Sequence, residues 1–105
     1  MIDILVTQRC HPGFEDRFEA LLRKVEGNTV ANDEGCLRYE WYRAPEPQTY
    51  VLVERWTSME AAQTHLKSEH FQAIVPEMQA CVPERFSIRQ LTRVGESVAP
   101  TPPTR

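Results

Sequence analysis

The sequence predicts an α+β domain with the element order β-α-β-β-α-β, and three observations carry that prediction. Ile2 to Gln8 alternates apolar residues at period two and reads as a strand. Phe14, Phe18, Leu21, Leu22 and Val25 then fall at i, i+4, i+7, i+8 and i+11, one apolar stripe of a helix. Two β-rich runs flank a proline-containing loop, and a second helical region precedes a last apolar run. A four-stranded antiparallel sheet with helices on one face, the ferredoxin-like arrangement, closes that order.

In the first strand Ile2, Ile4 and Val6 share one face, and Leu5 lies on the other. His11-Pro12-Gly13 breaks the chain before a helix from about Phe14 to Asn32. Glu15 and Asp16 suit its first turn, where the helix dipole favours acids. Glu19 and Arg23 form an i,i+4 pair on the wet side. Gly27 weakens the helix, so its tail through Asn28 is expected to be irregular, and Asp33-Glu34-Gly35 closes it.

Strands from Cys36 to Arg43 and from Thr49 to Trp56 are joined by Ala44-Pro45-Glu46-Pro47-Gln48. A centred loop sets Trp41 opposite Leu52, Tyr39 opposite Glu54 and Leu37 opposite Trp56. That register gathers Leu37, Tyr39, Trp41, Tyr50, Leu52 and Trp56 on one face. Its drawback is Arg38 across from Arg55, a like-charge pair. Ser58 caps the next helix and Ser68 caps a second piece, with a break near Lys67. Pro76 should kink or restart that piece, and Pro83 ends it. Arg85 to Val94 is the last strand, with Phe86 and Ile88 inward. Residues 1–95 make one domain, and 96–105, with three prolines, is expected to be a disordered tail.

Composition narrows the function. At 105 residues the chain buries a core without staples, and 41% hydrophobic with 26% charged residues is ordinary for a soluble globular domain. A net charge of -3 with mixed signs gives no nucleic-acid surface. Short apolar runs exclude a membrane span, and MIDILV has no signal-peptide pattern, so cytoplasmic residence is expected. Cys10, Cys36 and Cys81 are odd in number and far apart, which reads as free thiols in a reducing compartment.

Glu54 is the sharpest single feature, a carboxylate interrupting an apolar strand on the face assigned to the helices. Buried there it must be paired or have its pKa raised, which makes it a candidate acid or base. The plain alternative is a strand-end glutamate paired with Arg38. His65, on the following helix, could approach Glu54 across a pocket, and such a pair would fix its tautomer. His70 is weaker and could simply face water. Two histidines five apart with one glutamate lack metal-ligand spacing on a helix, so no metal site is expected. Tyr39, Trp41, Tyr50 and Trp56 read first as core, although an aromatic wall also suits a flat cyclic substrate. Val51, Val53 and Tyr42, next to Leu5, lie on the helix-free face, where they suggest a homodimer made by stacking two sheets.

The residues Glu34 to Glu40 (EGCLRYE), Tyr50 to Trp56 (YVLVERW) and Ser58 to Phe71, with the pattern E-x-W…H-x-x-S-x-H-F, resemble the antibiotic biosynthesis monooxygenase domain. The likeness extends over about residues 2 to 94 and is closest to small quinol-monooxygenase-like and autoinducer-degrading members. It implies a dimeric α+β barrel with a pocket between sheet and helices. It also implies oxidation of quinols or polyketide aromatics without flavin, metal or haem, the substrate supplying the electrons. By that analogy Glu54 or His65 would be the base, and Tyr39, Trp41, Trp56 and His70 would contact substrate. Haem-degrading relatives carry an Asn, Trp and His set. Here their tryptophan position falls on His65 and their iron-ligand position near Val75, which argues against haem.

The expected function is therefore cofactor-independent oxygenation of a small quinol-like aromatic by O₂. Alternatives on the same scaffold are an isomerase of small carbonyl compounds and a non-catalytic dimeric ligand-binding or stress-response module. A cavity joining Glu54 to His65 would separate the enzyme readings from the last.

Overall fold

A computed structural model of the protein describes residues 1–83 and 87–95. Its elements are β1 (Ile2–Arg9), α1 (Glu15–Asn32), β2 (Cys36–Arg43), β3 (Thr49–Trp56), α2 (Met59–Lys67), α3 (Glu69–Ala80) and β4 (Ser87–Leu91). The strands form one sheet in the order β2-β3-β1-β4, with every neighbouring pair antiparallel. This is the expected ferredoxin-like α+β fold, its second helical region split in two. No helix among the described residues is long and apolar enough to cross a membrane.

The helix α1 lays Phe18, Leu21, Leu22 and Val25 on the sheet. It does not become irregular after Gly27. Thr29 is fully buried, Asn32 Nδ2 donates to the Asn28 carbonyl at 2.9 Å, and the Asp33 N–H donates to the Thr29 carbonyl at 3.0 Å. That anchoring offsets the ~1 kcal/mol that a helical glycine costs. Ser58 Oγ accepts from the Ala61 N–H at 3.1 Å to start α2, and Ser68 Oγ accepts from the Phe71 N–H at 3.3 Å to start α3. The Ser68 hydroxyl also donates to the His65 carbonyl at 2.7 Å, which sharpens the break between the helices. Pro76 neither restarts nor ends α3, because both Pro76 and Gln72, whose carbonyl loses its helical partner, lie on the exposed side.

Across the β2–β3 hairpin Trp41 faces Leu52 and Tyr39 faces Glu54, as the centred loop requires. Leu37 does not face Trp56. An irregularity between Cys36 and Arg38 places Cys36 opposite Trp56 and turns Leu37 outward, where it is 53% exposed. Arg38 does sit across from Arg55, and the repulsion is relieved on both sides. Arg38 Nε donates to Glu40 at 2.7 Å, while Arg55 Nε donates to Asp3 on β1 at 2.6 Å.

One carboxylate guards the edge of the sheet. Glu26, on α1, accepts the Trp41 N–H of edge strand β2 at 2.8 Å. At the opposite edge Ile88 pairs with buried Val6 and so shares its face, yet it is 59% exposed. Ile88 thus faces inward as expected, and it stays exposed because β4 is an edge strand that packs chiefly on β1. Arg85, Phe86 and the expected tail at 96–105 lie outside the described residues. The core joins Val6, Leu52 and Trp56 from the sheet with Phe18, Leu22 and Val25 of α1 and Ile74 of α3. Cys10, Cys36 and Cys81 are free thiols.

Candidate functional site

Between the sheet and helices α2 and α3 lies a cavity of about 130 Å³. Its sheet wall includes Val6, Gln8, Tyr39, Trp41, Leu52 and Glu54; its helix wall includes His65, Phe71, Val75 and Met78. The lining is mostly apolar with a few convergent polar groups, the usual makeup of a small-molecule site.

Glu54 is 8% exposed. Its alternating position in β3 points it inward, and the Trp56 Nε1–H donates to its Oε1 at 2.8 Å. Burial pushes its carboxyl pKa up, and the indole hydrogen bond only partly opposes this. Arg38, the partner that would have made Glu54 structural, is held by Glu40 and Tyr42.

His65 is 3% exposed, with Tyr39 at 5.2 Å, Trp56 at 5.0 Å and Phe71 at 4.6 Å between ring centroids. It makes no hydrogen bond to Glu54, the expected partner, among the described residues; its Nδ1 bonds instead to Asp33 Oδ2. Burial lowers the imidazole pKa, against the pull of the Asp33 carboxylate, so a neutral ring is favoured. In the sequence Asp33 belongs only to a helix stop, Asp33-Glu34-Gly35. Gly35 explains its placement. At φ +84° a side chain there would put its Cβ 2.6 Å from Thr57 Oγ1 and 2.8 Å from Ala61 Cβ, so the α1–β2 turn closes directly onto the start of α2.

His70 does not line the cavity and does not simply face water. Its Nε2 lies 2.6 Å from Asp33 Oδ1, its side chain is 21% exposed, and its Nδ1 is buried without a hydrogen-bond partner among the described residues. Trp56 is likewise displaced from the role of substrate wall, being fully buried behind Glu54. Tyr39 and Trp41 do line the cavity. Tyr39 is kept a neutral phenol, its pKa raised first by burial and then by the nearby Glu54 charge. The Trp41 Nε1–H is buried without an acceptor among the described residues. Gln8, 6% exposed and on the same wall, is a polar group that its place at a strand end did not single out.

Asp33, His65 and His70 also bring three ligand-type atoms within 4.8 Å of one another. Helical spacing gives no sign of this set, because Asp33 comes from another element. Its 2.6 Å contact between His70 and Asp33 is a hydrogen-bond distance. Two ligands on one tetrahedral zinc stand about 3.3 Å apart, from bonds of 2.0–2.1 Å. A metal on His70 Nε2 would also place the ring proton on buried, unpartnered Nδ1. The group fits a hydrogen-bonded network better than a metal centre.

Fold and cavity together define a class: a ferredoxin-like α+β protein with a small apolar pocket holding an imidazole and a carboxylate of opposed pKa shift. The antibiotic biosynthesis monooxygenase family profile matches residues 1–77, and the chain belongs to that family. No curated protein matches it. Among solved structures it is similar to a candidate antibiotic biosynthesis monooxygenase from Caulobacter crescentus CB15, at 26% identity and a TM-score of 0.84, covering 89% of each chain. A conserved protein from Methanosarcina mazei Go1 shares 23% identity at a TM-score of 0.80, covering 86% of this chain and 89% of the other. A Mycobacterium tuberculosis protein, Rv0793, shares 22% identity at 0.82, covering 91% and 97%.

Proposed function

We propose that the protein is a cofactor-independent monooxygenase acting on a single-ring quinol-like aromatic. The observation that carries this reading is a cavity lined by both Glu54 and His65. Its volume, about 130 Å³, is near the ~150 Å³ of an apolar cavity that binds one benzene molecule, so it suits one six-membered ring. Neutral His65 takes the phenolic proton, and the electron-rich phenolate reacts with O₂ away from water. For hydroquinone the balance is C₆H₆O₂ + O₂ → C₆H₄O₃ + H₂O, giving hydroxybenzoquinone; one oxygen enters the ring and the other leaves as water. Glu54 exchanges protons with the oxygen intermediate, Tyr39 supplies a phenol donor, and Trp41 packs on the ring.

Oxygen uptake with a hydroquinone panel tests this. His65→Gln should lower kcat/KM at least tenfold, about 1.4 kcal/mol of barrier. The acid limb of the wild-type profile should fall below the ordinary histidine value of 6.5. Undiminished turnover in the variant would remove His65 from the mechanism, and conversion persisting without O₂ would favour an isomerase.

The active form in this reading is a homodimer joined through the outer sheet face. Tyr42 is 46% exposed there, and Leu5, Val51 and Val53 are only half covered by the single chain. A monomeric mass at micromolar concentration would sink that part.

A further inference from the structure

Asp33 holds one carboxylate between two imidazoles, and only one of those rings lines the cavity. Its Oδ2 meets His65 Nδ1 and its Oδ1 meets His70 Nε2 at 2.6 Å, with the Asp33 side chain only 9% exposed. An ionised carboxylate only accepts hydrogen bonds, so each of those ring nitrogens must bring a proton. A neutral His65 that is protonated on Nδ1 has its lone pair on Nε2, the remaining ring nitrogen of a side chain on the cavity wall. His70 occupies the second oxygen and so removes the freedom of the carboxylate to turn away from His65. The rings of Tyr39, Trp56 and Phe71 fix the plane of the imidazole.

From this geometry we infer that Asp33 is the positioning residue of the site, fixing His65 as the Nδ1–H tautomer, and that His70 locks Asp33 in place. The inference rests on reading His65 as the cavity base. The physical reason is the one that operates wherever a buried carboxylate orients a histidine base. It selects the tautomer that leaves the reactive nitrogen unprotonated, and it stabilises the imidazolium formed when that nitrogen takes a proton. Asp33 never touches substrate.

The test reads the tautomer directly, by long-range ¹H–¹⁵N correlation on the full chain with labelled histidine at pH 7.5. In the wild type His65 should show a protonated Nδ1 and a bare Nε2. Asp33→Asn, which can offer an amide N–H to the ring, should shift His65 toward the Nε2–H tautomer and lower kcat about a hundredfold with KM changed less than threefold. His70→Gln should keep the Nδ1–H tautomer and lose less than tenfold in kcat. A wild-type His65 protonated on Nε2, or an Asp33→Asn protein that retains Nδ1–H, overturns the assignment. Because the wild-type spectrum is itself decisive, a poorly folding Asp33→Asn protein does not shelter it. If the wild type shows Nδ1–H but takes up no oxygen, the monooxygenase reading fails and the tautomer assignment stands. If turnover depends on His65 while the tautomer ignores Asp33, the reverse holds.

Discussion

Glu19 and Asp33 are carboxylates shared by several partners, near opposite ends of β2, and they do different things. Glu19 on α1 accepts from Arg43 at 2.7 and 2.9 Å and from the Tyr50 hydroxyl at 2.7 Å. Its main partner is a permanent cation, and its pKa is pulled down to about 2, first by Arg43 and then by Tyr50. The Arg43 side chain is 72% exposed, so the cluster stands at the surface beside a water-facing cleft. Asp33 instead has two imidazoles and no permanent cation, and one of them, His65, lines the cavity. A carboxylate fixed by arginine and tyrosine clamps β2 and β3 to α1. One fixed by histidines can tune a base.

The sharpest way to break that comparison is at Gly35. Gly35→Ala forces a Cβ into Thr57 and Ala61 at a positive φ, and should cost about 3 kcal/mol in urea denaturation. It should also lower oxygen uptake more than tenfold, by moving Asp33 and sparing Glu19. A loss below 1 kcal/mol would show that the turn relaxes freely.

Glu54→Gln sharpens the contrast through pH. The folded pKa of Glu54 is raised above 4.5, so the native state holds that proton more tightly than the unfolded chain. Its stabilising contribution is full below 4.5 and is lost as pH rises through the raised value. Gln keeps an oxygen for the Trp56 indole and does not titrate. The variant should therefore become more stable relative to wild type on going from pH 4 to pH 8, as read by urea denaturation at both values. Activity should fall at the same time. An equal difference at both pH values would mean that burial does not strain the carboxylate.

The smallest effect belongs to Glu19→Gln. With a depressed folded pKa, the stability Glu19 contributes is present above 4.5 and lost as pH falls through about 2. Because Arg43 is largely exposed, solvent screening limits the loss to about 1 kcal/mol at pH 7. Turnover should stay within twofold. A larger fall in turnover would tie the two carboxylates together.

Much of this was legible in the chain. The strand and helix periods, the two serine caps and the pairing of Tyr39 with Glu54 come from local patterning, which the structure keeps. Glu54 stood out because a carboxylate breaks an apolar strand. Leu37 was misplaced because one extra residue in a ladder leaves no mark on composition. The role of Asp33 leaves no local signal, because it lies 32 positions from His65, in a D-E-G turn that serves equally well as a helix stop. The role of His70 is hidden in the sequence because a spacing of five puts the two histidines off-register on one continuous helix. The break at Ser68 bends the chain so that both histidines reach one carboxylate.

The Glu26 contact bears on how copies of the chain can meet. An edge strand with free N–H groups is a template on which another strand can grow. By taking up the Trp41 N–H, Glu26 spoils that template on β2, at the cost of one carboxylate hydrogen bond. Ribbon-like growth from this side of the sheet would first have to evict a helix-borne acid. Neutralising it, as in Glu26→Ala, would turn a guarded border into an open one, and the molecule's solubility would then depend on a strand it had previously kept to itself.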